Sequence, residues 1–180
     1  MRDSKRKVRT MIRNVSFAAI MAAAIAIAAP AHAQGFATKD INAIAKQAAR
    51  VLGPGYQSAL RGSSAAFNCP QCQGEPMVSI AVGRQTDGTE GRVRSGETTM
   101  AQLQALCRRR EPTCRISRLA LGPAVGWLSS WPLGSSAGAT AVVLRDGDLL
   151  TVRVVANTPQ AAAAVMDPLV RKLVPAVVGR

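Results

Sequence analysis

The sequence predicts an α+β domain: a mainly antiparallel sheet with helices packed on one face, stapled by disulfides. Three observations carry that prediction. Asp146-Gly147 separates two apolar runs, 139–145 and 148–156, and suits a two-residue type I′ turn. After Thr158-Pro159, the residues Ala162, Val165, Met166, Leu169, Val170, Leu173, Val174 and Val177 step by threes and fours, as in a core-facing helix. The four cysteines fall in two close pairs, Cys69 with Cys72 and Cys107 with Cys114.

Residues 1–33 read as a cleaved signal peptide. Arg2, Lys5, Arg6, Lys7, Arg9 and Arg13 form a basic segment, 17–29 is an unbroken apolar run, and Ala31-His32-Ala33 supplies a small-x-small site before Gln34. Met11 is a second candidate start, because Arg13 and the apolar run still make a signal. An apolar helix of this length rises only about 20 Å, short of the roughly 30 Å bilayer core, so a membrane anchor is not expected. The first cysteine is Cys69, far from the cleavage site, which argues against a lipoprotein. The expectation is an exported protein, periplasmic or secreted, that does not span the membrane after cleavage after Ala33. The rest divides into an N-terminal helix and irregular linker over 34–68 and an α+β domain over 69–180, with 34–180 as one folded unit.

In chain order, 34–38 reads as a frayed end. Thr38 is the expected cap of a helix over 39–52, with Ile41, Ile44, Ala45, Ala48, Val51 and Leu52 on one face. Gly53-Pro54-Gly55 stops it, and 56–68 reads as a linker or irregular loop. Over 77–84, Val78, Ile80 and Val82 share one face of a strand. Residues 86–91 form a turn, and Arg92-Val93-Arg94 begins a short exposed strand. Thr98 or Thr99 caps a helix to about Arg109 that Pro112 ends. From Arg115 the texture is strand-like, broken at Gly122-Pro123 and Trp131-Pro132. The Asp146-Gly147 turn then pairs Val143 with Leu150, Ala141 with Val152 and Ala139 with Val154 on one apolar face. The other face carries Thr140 with Arg153, and Arg145 with Asp148 closes the turn as an ion pair. The last helix is capped by Thr158, has Pro159 at its first position, kinks near Asp167 or divides there into two abutting helices, and packs across the hairpin. This order of strand, helix, strands, hairpin and closing helix is similar to small exported domains of the PsbP-like kind. The likeness is one of element order, without a shared motif, and it implies no function.

Charge and composition narrow the chemistry. Six of the 23 Lys and Arg residues and one of the 10 Asp and Glu residues lie in 1–33, so the remainder carries a net charge of +8. That balance suits an anionic envelope lipid or glycan; nucleic acid is not an expected partner of an exported chain. The sole histidine, His32, belongs to the signal. Ser-His-Asp and Cys-His hydrolysis, histidine metal sites and histidine general bases are thereby excluded.

Four thiols in an exported chain are read as two structural disulfides. The local bridges 69–72 and 107–114 need no long-range docking and are the expected pair. The crossed connectivities would close loops of about 39 residues, contributing roughly 4 kcal/mol against roughly 2 for a four-residue loop. Cys69-Pro70-Gln71-Cys72 resembles the motif of thioredoxin-like oxidoreductases, which would make Cys69 and Cys72 catalytic. That chemistry requires a helix directly after the motif, where Gln73-Gly74-Glu75-Pro76 and a strand follow instead. The same residues resemble one knuckle of a zinc ribbon or rubredoxin, but Cys107 and Cys114 lack the matching spacing.

Arg108, Arg109, Arg110 and Arg115 are candidate anion-binding residues, although arginines in a helix's last turn also complement its dipole. Trp127 and Trp131, four residues apart, could stack on a sugar; as strand residues they are expected in the core or at its rim. No cofactor or metal is expected. The sequence thus points to a non-enzymatic periplasmic binding or envelope-accessory protein. A thiol–disulfide oxidoreductase is the enzyme alternative and a four-thiolate zinc or iron site the third reading.

Overall fold

The structure, a computed structural model, describes residues 35–179; the expected signal segment 1–33 lies outside the described residues. Helix α1 (Ile41–Leu52) leads into strands β1 (Gln57–Arg61), β2 (Ser64–Asn68) and β3 (Met77–Arg84). Helices α2 (Thr89–Ser95) and α3 (Met100–Arg110) follow, then β4 (Arg115–Arg118), β5 (Val125–Leu133), β6 (Ser136–Arg145) and β7 (Asp148–Ala156). The chain closes with α4 (Pro159–Pro168), a π turn over Leu169–Leu173 and α5 (Val174–Val178). The seven strands form one antiparallel sheet in the order β1-β2-β3-β7-β6-β5-β4. With its helices and the two local disulfides, this is the α+β fold the sequence predicts.

The β6–β7 hairpin stands near the centre because its turn chemistry and its alternation agree. Asp146 (φ +52°) and Gly147 (φ +79°) supply the two left-handed residues of a type I′ turn. The register is the expected one, Val143 opposite Leu150, Ala141 opposite Val152 and Ala139 opposite Val154. These side chains are all buried, and Val78, Ile80, Ala65 and Phe67 extend their face through β3 and β2. Onto it α1 lays Ile44, Ala45 and Ala48, while the closing helix lays Met166, Leu169, Leu173, Val174 and Val177. Each large side chain buried there contributes roughly 1.5–3 kcal/mol. Thr158 accepts from the Ala161 N–H at 3.1 Å as the expected cap. The expected kink is the π turn that begins after Pro168, where proline's missing N–H interrupts the ladder.

Six local expectations are corrected. The described part of the supposedly frayed end is tied down: Gly35 N donates to Asp146 Oδ2 and Phe36 N to Asp148 Oδ2. Ala37 and Thr38 donate to the Val178 and Val177 carbonyls. Asp148 is not the partner of Arg145. Its buried carboxylate binds Lys39 Nζ at 2.7 Å and Arg84 Nη1 at 2.8 Å, while Arg145 donates to the Val178 carbonyl at 2.6 Å. The cap of α1 is Asp40, which accepts from Asn42 N, rather than Thr38. Residues 56–68 are no irregular linker. They hold a hairpin whose turn places Gly62 at φ +57° before Ser63, as a type II′ turn requires. Finally, Arg92-Val93-Arg94 lies in α2 rather than a strand. Asp87 accepts from Thr89 N at its start, Arg94 reaches Glu90 at 2.6 Å, and Val93 is buried beneath. Strand β5 also runs on through Trp131-Pro132. Its pairing with β4 stops at Arg115 opposite Ser130, so Pro132 occupies an edge position where no N–H is needed.

Candidate functional site

The site lies on the sheet face turned away from α1 and α4. Leu128 packs toward the core, so alternation sends Trp127, Ser129 and Trp131 of β5 to the opposite side. Pairing across the sheet then sets Ser129, Thr140 and Arg153 side by side in one polar row. Trp127 and Trp131 flank the row. Over it stands α3, whose Leu103, Leu106 and Arg110 form a wall together with the Cys107–Cys114 bridge. The groove enclosed has a volume of about 570 Å³, within the span of small-ligand sites.

Helix α3 is built for this position by its ends and tethers. A capping box joins Thr99 and Gln102 at its start. None of its residues is buried, so packing alone does not hold it. Gln104 instead grips the open edge of β4, donating to the Cys114 carbonyl and accepting from Ile116 N, both at 2.7 Å. The bridge from Cys107 to Cys114 fixes the helix end.

The groove holds unspent polar capacity. Thr140 is 7% exposed, and its Oγ1 has no hydrogen-bond partner among the described residues; a buried hydroxyl left so costs about 1–3 kcal/mol. The Arg153 guanidinium rests over Trp131, 5.9 Å from the ring centroid. Among the described residues neither Arg153 nor Arg110 is paired with a carboxylate. The one acid beside them, Glu111, is engaged by Thr113 through its N–H at 3.1 Å and its hydroxyl at 2.8 Å. Gly138 makes room for the Trp131 indole: a Cβ there would lie 2.6 Å from the ring. A second recess, about 500 Å³ between α4 and the β5–β6 end, is mostly apolar, and among the described residues no Lys or Arg lines it.

The residues singled out from sequence separate. Cys69–Cys72 bridges the β2–β3 connection, and Cys107–Cys114 ties α3 to β4 at the other end of the strand order. The pairs do not converge on a four-thiolate site. Among the described residues no group of three or more His, Cys, Asp or Glu is placed to hold a metal. Cys69 is 1% exposed, and turns and a strand follow Cys72, so the first sulfur is neither accessible nor at a helix start. Of the four candidate arginines, Arg108, Arg109, Arg110 and Arg115, only Arg110 lines the groove. Arg108 and Arg109 lie on the other flank of α3 with Gln104 and Ala105, and Arg115 turns its guanidinium toward the Thr113 carbonyl. Sequence reasoning passed over Thr140, Ser129 and Arg153 as site residues. The available signal was the Thr140–Arg153 pair in the hairpin register, together with two tryptophans at strand-even spacing.

Four acids outside the groove, Asp40, Asp87, Glu90 and Asp148, are held ionised. Burial acts to raise Asp148 and Glu90, but hydrogen bonds from Lys39, Phe36 N and Arg84 to the first, and from Gly147 N and Arg94 to the second, lower both. Asp40 and Asp87 are lowered by the N–H groups of Asn42 and Thr89. Not one of these four is a carboxyl kept protonated for acid catalysis. Among the described residues no helix is long and apolar enough to cross a membrane. No family model matches the chain, and a search of curated proteins finds no match.

Proposed function

We propose that this chain is an exported, non-catalytic binding protein of the cell envelope or its exterior, and that it holds an anionic ligand in the groove between α3 and the sheet. The observation that supports this reading is the pair Arg110 and Arg153. Two guanidinium groups line one concave site without an ion pair among the described residues, outnumbering the single acid of its lining, Glu111, beside indole surface and a hydroxyl left unbonded. A cation in a semi-enclosed, partly apolar site attracts an anion more strongly than the same cation in open water. Export supplies the oxidising compartment in which the Cys107–Cys114 bridge persists and keeps the wall of the groove in place.

The reading predicts where charge removal matters. Changing Arg110 and Arg153 together to Gln is expected to weaken binding of a soluble polyanion such as dextran sulfate at least tenfold at low salt, measured by calorimetry. Changing Arg108 and Arg109 together to Gln, on the outer flank of α3, is expected to cost less than threefold. The reverse ranking would move the binding surface off the groove.

A further inference from the structure

Resting on that reading, we propose that the groove takes a glycan whose rings carry acid groups. The lining is specific in a way that simple anion attraction does not require. Thr140 offers a neutral hydroxyl at the groove floor with nothing to bond, and Ser129, beside it in the row, donates to the Thr140 carbonyl at 3.3 Å. A ligand rich in hydroxyls can both donate to and accept from such a floor, whereas a deprotonated inorganic anion can only accept. Trp127 and Trp131 are four residues apart on one strand, roughly 13 Å at strand rise, and flank this polar row. Trp127 is half-buried and lines the groove, which puts indole surface where the apolar side of a sugar ring would lie. Arg153 and Arg110 then meet the acid group with paired N–H donors. A membrane surface fits less well. It would meet projecting cations and apolar side chains, whereas these two arginines line a concavity.

The test uses the folded protein with both disulfides intact and four probes in calorimetry at low salt. They are an oligogalacturonate, the same oligomer fully methyl-esterified, a phosphorylated oligosaccharide, and phosphatidylcholine vesicles containing one-third phosphatidylglycerol. At least one acidic oligosaccharide is expected to bind, and the uncharged ester at least tenfold more weakly. Trp127→Ala and Arg153→Gln are each expected to raise Kd about tenfold. Thr140→Val is expected to raise Kd severalfold while the melting temperature holds or rises, because valine removes an unbonded buried hydroxyl. Equal binding of acid and ester would overturn the acid requirement. Binding indifferent to both Trp127→Ala and Thr140→Val would reduce the groove to a general polyanion surface and sink the glycan class. Vesicles bound in preference to both acidic oligosaccharides would replace the glycan with a lipid headgroup and leave the anion-binding reading standing. No binding of any probe at millimolar concentration would remove both.

Discussion

Lys39, Arg84 and the Phe36 N–H, three donors from separate stretches of chain, meet at the carboxylate of Asp148. That carboxylate is 2% exposed, while Lys39 and Arg84 are 50% and 61% exposed, so most of the desolvation falls on the acid. Its pKa is nevertheless lowered, because the donors outweigh burial. A depressed acid stabilises the fold at pH above its unfolded value near 4, and that contribution is lost as pH falls toward the folded value. Asp148→Asn is therefore expected to destabilise the protein by about 2 kcal/mol at pH 7 and to flatten the loss of stability between about pH 5 and 2. Urea unfolding across that range checks both; an unchanged acid limb would show that other carboxylates set it. Gly138 is a residue of the opposite kind, where an added methyl rather than a lost charge does the damage. Gly138→Ala must displace the Trp131 ring, so a cost of about 1–3 kcal/mol and a shifted tryptophan emission are expected.

At the scale of elements, α3 is joined to the fold without a single buried residue. Its tethers are one side chain, Gln104, and one bridge closing a short loop, which is worth about 2.5 kcal/mol in loop entropy. Replacing Cys107 and Cys114 with Ser is expected to raise amide exchange along α3 and β4 well above that of β6 and β7. Uniform exchange across the molecule would mean that α3 unfolds only with the whole. The same contrast explains what was legible in the sequence. The β6–β7 hairpin could be read to its register, because Asp146-Gly147 and the alternation on both sides specify the same pairing. The closing helix could be read because its cap, its stripe and its prolines agree. Strand β1 could not: all five of its residues are exposed, so no alternation marks it, and Gly62-Ser63-Ser64 looks like loop. Helix α2, at seven residues, is too short for its period to outweigh an Arg-Val-Arg alternation. Of the groove, Trp127, Trp131 and the Thr140–Arg153 pair were visible singly. Their meeting with Arg110 depends on where Gln104 and the bridge hold α3, and side-chain tethers of that kind leave no periodic trace.

Across the whole molecule the sheet divides its labour by face. One face is closed by α1, α4 and α5 into the main core; the other leaves the groove open beneath α3. The N-terminal segment belongs to the closed side. Phe36 is 5% exposed within the core, and the N–H groups of residues 35–38 are all bonded to acids or carbonyls of the hairpin turn and α5. Cleavage after Ala33, as proposed for export, would leave a single residue ahead of this docked stretch. The boundary is therefore open to a stability test that does not depend on the ligand. A chain beginning at Gln34 is expected to unfold at the same urea midpoint as the protein recovered after export, with an unchanged slope. A chain beginning at Ala37 loses the Phe36 side chain and two bonds to Asp146 and Asp148. It is expected to lose about 3 kcal/mol, since the cavity left by Phe36 adds to the lost transfer energy. If the chain beginning at Gln34 were already that much weaker, residues ahead of it would be contributing to the fold and the proposed cleavage point would be wrong. If the chain beginning at Ala37 kept full stability, the docked segment would be ornament to the core rather than part of it, and the buried charge at Asp148 would have to be held by Lys39 and Arg84 alone.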